Sequence, residues 1–499
     1  MNIRRLEILK IIFIAVFIVE GGALFYWQII WNPESSFYFD EEDRSVERGK
    51  IYDRRGRIIA MNELRYSIFA DPSIVSDPEY VGKKIGELLG GPEETYINRL
   101  KQKSRFVWIE RKLEKSLAER IVSIDRGGIF MREDYCRVYL DCNMEEILGC
   151  VDIDNRGISG IELTLDERLS RGEDVYLSID SVLQSKIDDL LSGNKQVLGF
   201  SKGIVIVMSP YTGEILALVN YPHDRNFAIQ DVFEPGSSFK PIVASIALEE
   251  KCVREDERFN CRPPFIIKGV SIKDAPHQVD SYDMTLKEIL EVSSNIGIAQ
   301  IGLRIGPSIF YRYVSAFGFG SYTGVELSGE TPGILPQRRD EISITQNSFG
   351  QGIGVNALQL VAGYAPLANG GYFVRPTILK VSSSDRILNQ IISGETSKKI
   401  TGMLVNVVEN GTGRSAKIDG VEIAGKTGTA QKVVNGRYSM ENNIMSFIGY
   451  LPAYCPKFII GVILDEPKVS RWASDTAAPL FKKIAEILLY DESLKGDEM

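Results

Sequence analysis

The chain has 499 residues, 44% hydrophobic and 25% charged, with a formal net charge of −9. That length exceeds what one core supports, so two or three domains are expected, and the mixed composition excludes wholesale disorder and fibrous repeats. The acidic balance argues against nucleic acid as the main partner, because phosphate binding needs a basic face. Histidine is scarce: only His223 and His277 are present, so a Ser-His-Asp hydrolase or a His-rich metal centre is hard to build. Six cysteines occur without a CxxC pair, which argues against a zinc ribbon.

Residues 11–31 are nearly all apolar. At about 1.5 Å per residue they can cross roughly 30 Å of hydrocarbon. Arg4, Arg5 and Lys10 precede this run, and Glu41, Glu42 and Asp43 follow it. The positive-inside rule then leaves residues 1–10 in the cytoplasm and sends the rest outside. A cleaved signal peptide is the alternative. Its apolar stretch would be shorter, however, and Gly21-Gly22-Ala23 is followed by further apolar residues. Glu20 faces a partner helix or lies close to an interface. An outside location permits disulfides. Cys252 and Cys261 bracket a short polar loop and are the best-placed pair, and free buried thiols are an equally good reading.

After a polar stretch, Ile51-Tyr52, the turn Asp53-Arg54-Arg55-Gly56 and Arg57 to Ala60 read as a hairpin. Short strands and charged helices follow to about residue 175 with no reactive constellation, so this part reads as a non-catalytic spacer. Gly203 to Met208 and Glu214 to Asn220 are strands around the turn Ser209 to Gly213. A helix starts near Ser237 and carries Ile242, Val243, Ile246 and Leu248 at helical spacing. Thr285 and Glu288 form a capping box that opens another. Strands are expected over Val421 to Lys432, Met445 to Leu451 and Lys457 to Asp465, then an amphipathic helix over Thr476 to Tyr490. Strands at both ends with helices between and after them predict one α+β domain, an antiparallel sheet with helices on both faces.

Three motifs carry chemistry: Ser237-Ser238-Phe239-Lys240, Ser293-Ser294-Asn295, and Lys426-Thr427-Gly428 followed by Thr429. A serine hydroxyl is a poor nucleophile until a base takes its proton. Here that base is a lysine, and burial together with a second cation, Lys426, would make Lys240 neutral. Spacing i, i+3 puts Ser237 and Lys240 on one helical face. Glu234-Pro235-Gly236 turns the chain into that helix, whose N-terminal N–H groups favour developing negative charge. The Lys426-to-Thr429 strand offers N–H groups for an oxyanion and hydroxyls for a carboxylate, and Gly428 permits close approach. Ser293 can relay a proton to a leaving amine, and Asn295 can orient the lysine and hold a substrate amide. The first pattern alone is weak: Ser192-Gly193-Asn194-Lys195 shares it and reads as a turn in a polar loop.

The three motifs in this order are those of penicillin-binding proteins and class A β-lactamases. The chain resembles a class B, monofunctional penicillin-binding protein of the cell-division (FtsI-like) branch. Further residues carry the resemblance: Arg48 to Gly56, Gly157 to Glu162, Leu177 to Asp180, Leu327 to Glu330, Gly350 to Gly354 and Ala368 to Gly371. The division branch is suggested by Ser293-Ser294-Asn295-Ile296-Gly297, and a sporulation role stays open.

The resemblance implies a penicillin-binding/transpeptidase fold with five parts: a cytoplasmic tail 1–10, a transmembrane anchor 11–31, a mixed α/β pedestal of dimerisation type 32–174, a transpeptidase domain 175–492 and a tail 493–499. It implies Ser237 as nucleophile, Lys240 as base, Ser293, Asn295 and Lys426 as catalytic partners, and Thr427, Gly428 and Thr429 as substrate-binding residues. The backbone N–H groups of Ser237 and Thr429 would form an oxyanion hole. The implied reaction is D,D-transpeptidation of peptidoglycan stem peptides ending in D-Ala-D-Ala, inhibited by β-lactams, without metal or cofactor. The implied partner is a polytopic lipid-II polymerase. The rival readings are a D,D-carboxypeptidase or β-lactamase-type hydrolase, and a non-catalytic penicillin-binding sensor or scaffold.

Overall fold

The computed structural model describes residues 47–490 except 141, 276–280, 382–388 and 435–436. The expected tail 1–10, anchor 11–31, tail 493–499 and His277 lie outside the described residues. Among those residues no helix is long and apolar enough to cross a membrane.

The first sheet is built on β2 (Ile58–Ala70), which pairs antiparallel with β1 (Ile51–Tyr52), β3 (Val107–Leu113) and β4 (Ile129–Tyr139). The expected hairpin is present, with Ile51 opposite Ala60. Alternation along β2 sends Tyr66, Ile68 and Ala70 into a small core with Ile109 and Ile129. Helices Pro78–Leu89 and Lys115–Val122 close that core with Val81, Ile85, Ala118 and Ile121. Behind the sheet lies a buried ion cluster. Glu162 receives Arg48 Nε at 2.7 Å and Arg137 Nε at 2.6 Å. Arg48 also reaches Asp166 at 2.7 Å. The cluster joins three segments distant in sequence.

β5 (Val175–Tyr176) pairs parallel with β1, while the next residues, Leu177 and Ser178, bond to the Ile378–Leu379 segment. Ser178 Oγ and Asp180 N donate to Ile215 O and Leu216 O of the strand Ile215–Tyr221, so the segment after Val175 touches both sheets. The Asp53–Gly56 turn is anchored at the same place: Asp53 accepts from Ser181 Oγ at 2.8 Å, and Arg55 Nε donates to Asp180 at 2.6 Å. Asp180 in turn caps helix Ser181–Leu198.

The second sheet is five-stranded and antiparallel throughout, in the order β14-β15-β16-β6-β7. Its members are β6 (Lys202–Met208), β7 (Ile215–Tyr221), β14 (Ala424–Val434), β15 (Arg437–Leu451) and β16 (Phe458–Asp465). Six short strands pair off outside it: β8 (Arg258–Asn260) with β11 (Asp283–Thr285), β9 (Phe265–Ile267) with β10 (Val270–Ile272), and β12 (Tyr372–Phe373) with β13 (Asn389–Gln390). Side-chain alternation gives the sheet two buried faces. Ile204, Ile206 and Met208 belong to one core, and Val205 and Val207 to the other. On the first side helices Phe227–Gln230, Ala357–Ala362 and Gly394–Glu409 pack against the strands and share a core with Lys240–Glu249 and Asn295–Ile305, and the second side packs Ser181–Leu198 and Ala477–Tyr490. This is the expected antiparallel sheet with helices on both faces.

One expectation fails, and of the two readings of Cys252 and Cys261 the free-thiol one holds. Ser192 to Lys195 is not a loop. It lies within helix Ser181–Leu198, where Asn194 Nδ2 donates to Leu190 O and the Lys195 ammonium stacks on Phe200 and Tyr221. Cys252 and Cys261 are both free thiols. The Cys261 thiol is buried against Gly297 and donates to Phe259 O, whereas Cys252 donates to Glu250 O. Cys136, Cys150 and Cys455 are free as well.

Candidate active site

Ser237 sits in a 3₁₀ turn, Gly236–Phe239, which leads directly into helix Lys240–Glu249. Sequence spacing predicts an α-helical face, but the 3₁₀ turn serves better, since side chains at i and i+3 eclipse in it. The Lys240 N–H closes the turn onto Ser237 O. Ser238 Oγ donates to Pro235 O at 2.7 Å and Tyr364 Oη to Ser238 O at 2.6 Å, so the turn is held from two sides. Gly236 has φ +56°, which only glycine adopts freely, and a Cβ there would lie 2.9 Å from Thr429 O. Among the described residues no hydrogen bond engages the half-exposed Ser237 side chain.

Lys240 and Lys426 are both wholly buried. Their ammonium groups converge on Ser293. Lys240 Nζ reaches Ser293 Oγ at 3.2 Å, and Lys426 Nζ reaches the same oxygen at 3.0 Å. Lys240 also donates to Ser293 O at 2.5 Å and Asn295 Oδ1 at 2.8 Å. Ser293 has φ +63°, in the left-handed region. That strained backbone turns both its carbonyl and its hydroxyl toward the lysines, as strain stored at functional sites often does. Ser294 caps helix Asn295–Ile305 through Gly297 N.

Burial pushes the Lys240 amine down to about 7. Burial also drives Lys426 far below its ordinary value, and the charge of Lys240 lowers it further. Two buried ammonium groups facing one hydroxyl cannot both stay charged, so the pair holds at most one extra proton near neutrality. A neutral amine next to a serine can act as a general base.

Lys426, Thr427, Gly428 and Thr429 all lie on β14, a rim strand that pairs only with β15 among the described residues. Gly428 stands opposite Ser446, and a Cβ on it would lie 2.2 Å from Ser446 Oγ and 3.1 Å from Pro235 O. Only glycine lets β14 approach the Ser237 turn so closely. Thr427 Oγ1 donates to Thr412 Oγ1 at 2.9 Å. The structure therefore brings Ser237, Lys240, Ser293, Asn295 and the Lys426-to-Thr429 strand together. His223 is held elsewhere, 3.2 Å from Asp188.

Two contributors, Asp274 and Thr412, carry no signal in the sequence, and Glu234, which the sequence shows only as part of the turn into the helix, has a further role. Asp274 accepts from Ser294 Oγ and from the backbone N–H groups of Asn295 and Ile296. Thr412 lies in a Gly-rich turn beside Thr427. Glu234 accepts from Gly352 N at 2.8 Å and Tyr438 Oη at 3.1 Å, tying the approach to Ser237 to the start of β15.

A serine opening a helix, a lysine one turn on, and a second serine between two lysines form the lysine-assisted, active-serine class of acyl-transfer sites. Residues 203–486 match the penicillin binding protein transpeptidase domain, and residues 43–180 the penicillin-binding protein dimerisation domain. The chain belongs to the penicillin-binding protein transpeptidase family. It is 30% identical to the stage V sporulation protein D of Bacillus subtilis (strain 168), over 96% of this chain and 84% of that one. It is also 30% identical to the peptidoglycan D,D-transpeptidase FtsI of Escherichia coli (strain K12), over 91% of this chain and 85% of that one. In fold it resembles a peptidoglycan synthetase from Bifidobacterium adolescentis ATCC 15703, with TM-score 0.74, 24% identity, and 89% and 95% of the two chains covered. It also resembles a penicillin binding protein 3 from Mycobacterium complexed with aztreonam, with TM-score 0.70, 25% identity, and 90% and 97% covered.

Proposed function

We propose that this protein is a peptidoglycan D,D-transpeptidase that works through an acyl-enzyme on Ser237. The observation that carries this reading is the meeting of Lys240 and Lys426 at Ser293 Oγ, one 3₁₀ turn from an unengaged serine. Neutral Lys240 takes the Ser237 proton as Oγ attacks the carbonyl of the penultimate D-alanine. The N–H groups of Ser237 and Thr429 receive the oxyanion. The proton then moves from Lys240 through Ser293 Oγ, backed by Lys426, to the departing amine, and the C–N bond breaks to release D-alanine. An amine from a neighbouring stem attacks the ester by the same route in reverse. The stem peptide lies along the open rim of β14, a strand-addition mode of binding, with Thr427 and Thr429 facing its carboxylate. A β-lactam acylates Ser237 in the same way.

The cellular setting is an extension of this reading. The FtsI relative supports septal cell-wall synthesis. The sporulation protein at equal identity supports a second reading, a role in sporulation. Residues 11–31 would anchor the chain in the cell membrane, where a polytopic lipid-II polymerase is the expected partner. The deciding experiment is intact-mass analysis after incubation with benzylpenicillin. The expected result is a long-lived adduct of one penicilloyl group mapped to Ser237 and missing from Ser237→Ala. Rapid turnover of the drug would instead indicate a hydrolase, and an adduct elsewhere would overturn the assignment of Ser237.

A further inference from the structure

We infer that Asp274 is a positioning residue of this site: its carboxylate sets the start of helix Asn295–Ile305 so that the Asn295 amide presents oxygen, not nitrogen, to Lys240. The inference rests on the proposed roles of Ser237 and Lys240.

Asp274 follows β10, and one of its oxygens, Oδ1, accepts from two successive helix N–H groups, Asn295 N and Ile296 N, the latter at 3.0 Å. The other, Oδ2, accepts from Ser294 Oγ at 2.7 Å, the hydroxyl that also caps Gly297 N at 3.0 Å. The preceding residue completes the arrangement: Lys273 O accepts from Asn295 Nδ2 at 3.1 Å. A carbonyl oxygen only accepts and an ammonium only donates. With Lys273 O on one side and Lys240 Nζ on the other, one amide orientation satisfies both. The Lys273–Asp274 segment thus fixes where Asn295 stands and which end of its side chain meets the base.

Asp274 is also the charge that opposes the desolvation of Lys240. Among the described residues the titratable groups nearby include Lys273, next to Asp274 in the chain, Cys261, whose thiol burial pushes up to about 11, and Asp283, which acts on that thiol together with Asp274. Lys426 lies beyond Lys240. Removing the Asp274 charge therefore makes Lys240 easier to deprotonate. An amide at this position would also turn a donor toward one of the three donors it now accepts from.

The test is the rate of acylation of the purified full chain by a fluorescent penicillin between pH 5 and 9, for the parent and Asp274→Asn. The expected result has two parts. The acid limb moves down by about one pH unit, the scale of a lost neighbouring carboxylate, and the high-pH plateau falls at least about tenfold, within the range of one general-base contribution. A helix cap with no link to the base would lower the melting temperature and leave the acid limb in place, and that outcome overturns the inference. Asp274→Ser keeps a short acceptor for the helix and carries the same test should Asp274→Asn not fold. If the parent forms no adduct on Ser237, the site assignment fails instead, so the two failures are distinct.

Discussion

At the scale of single residues the site is a problem of proton placement. In the proposed mechanism Lys240 must lose its proton before Ser237 can react, and burial brings that amine to about 7. Below that value the lysine is charged and cannot accept a proton. Acylation by a β-lactam is therefore expected to rise about tenfold per pH unit below pH 7 and to level off above it. Lys240→Arg, which keeps the charge and cannot deprotonate, is expected to lower acylation by about 10²–10⁴ at every pH. Labelling kinetics with a fluorescent penicillin read both effects, and a pH-independent parent rate would contradict them. Ser237, Lys240, Ser293, Asn295 and Lys426 were legible because the chemistry demands particular side chains at particular separations. Asp274 was not, because its partners are largely backbone N–H groups, which every sequence spells alike. Nor does the sequence reveal that Ser293 adopts a left-handed backbone, since serine gives no such signal.

At the scale of elements, hydrophobic alternation and turn residues placed the strands of the second sheet to within a few residues. β15 is the exception. It begins at Arg437, eight residues before the expected Met445, because its polar first half is held by pairing with β14 rather than by burial. Ser192 to Lys195 departs from expectation for a related reason: its polar residues suggest a loop, but the helix lays Lys195 against Phe200 and Tyr221. The Arg48–Glu162–Arg137 cluster shows what such patterns miss. Its members lie in three separate segments, and Glu162 is fully buried. Glu162→Ala would leave the buried Arg137 guanidinium without its carboxylate and Arg48 with Asp166 alone. The expected loss is about 3–5 kcal/mol, seen as a lower unfolding temperature, whereas exposed Glu167→Ala should change it little.

At the scale of the molecule, the two sheets meet across a polar seam. Glu146 lies in the pedestal helix Glu145–Leu148 and receives Asn220 Nδ2 of β7 at 3.3 Å, and its other oxygen is buried without a partner. Asp188 and His223 are the titratable neighbours, and burial pushes the Glu146 carboxyl up to about 7 from its ordinary 4.5. Between those values the folded chain keeps a proton that the unfolded chain has lost. Stability therefore falls as pH rises from 4.5 to 7, by up to about 3 kcal/mol, and the full cost is present above pH 7. Glu146→Gln is expected to flatten this part of the profile and to raise the unfolding temperature at pH 8 but not at pH 4.5. Equal pH profiles for the two proteins would count against it. The seam was invisible in the sequence because Glu146, Asp188 and His223 come from three elements that only the fold brings together.

The rim position of β14 has one more consequence, for solubility. An open row of N–H and C=O groups invites pairing with another copy of the chain as readily as with a peptide. Here the Ser237 turn already occupies the space beside Gly428 and Thr429. Further along, Lys432 is engaged with Asp465 and Glu466, placing charge near the strand's far end. The stretch left open is short. It suits a few residues of an extended peptide, and it offers little purchase for the strand-by-strand growth that would otherwise aggregate a concentrated preparation.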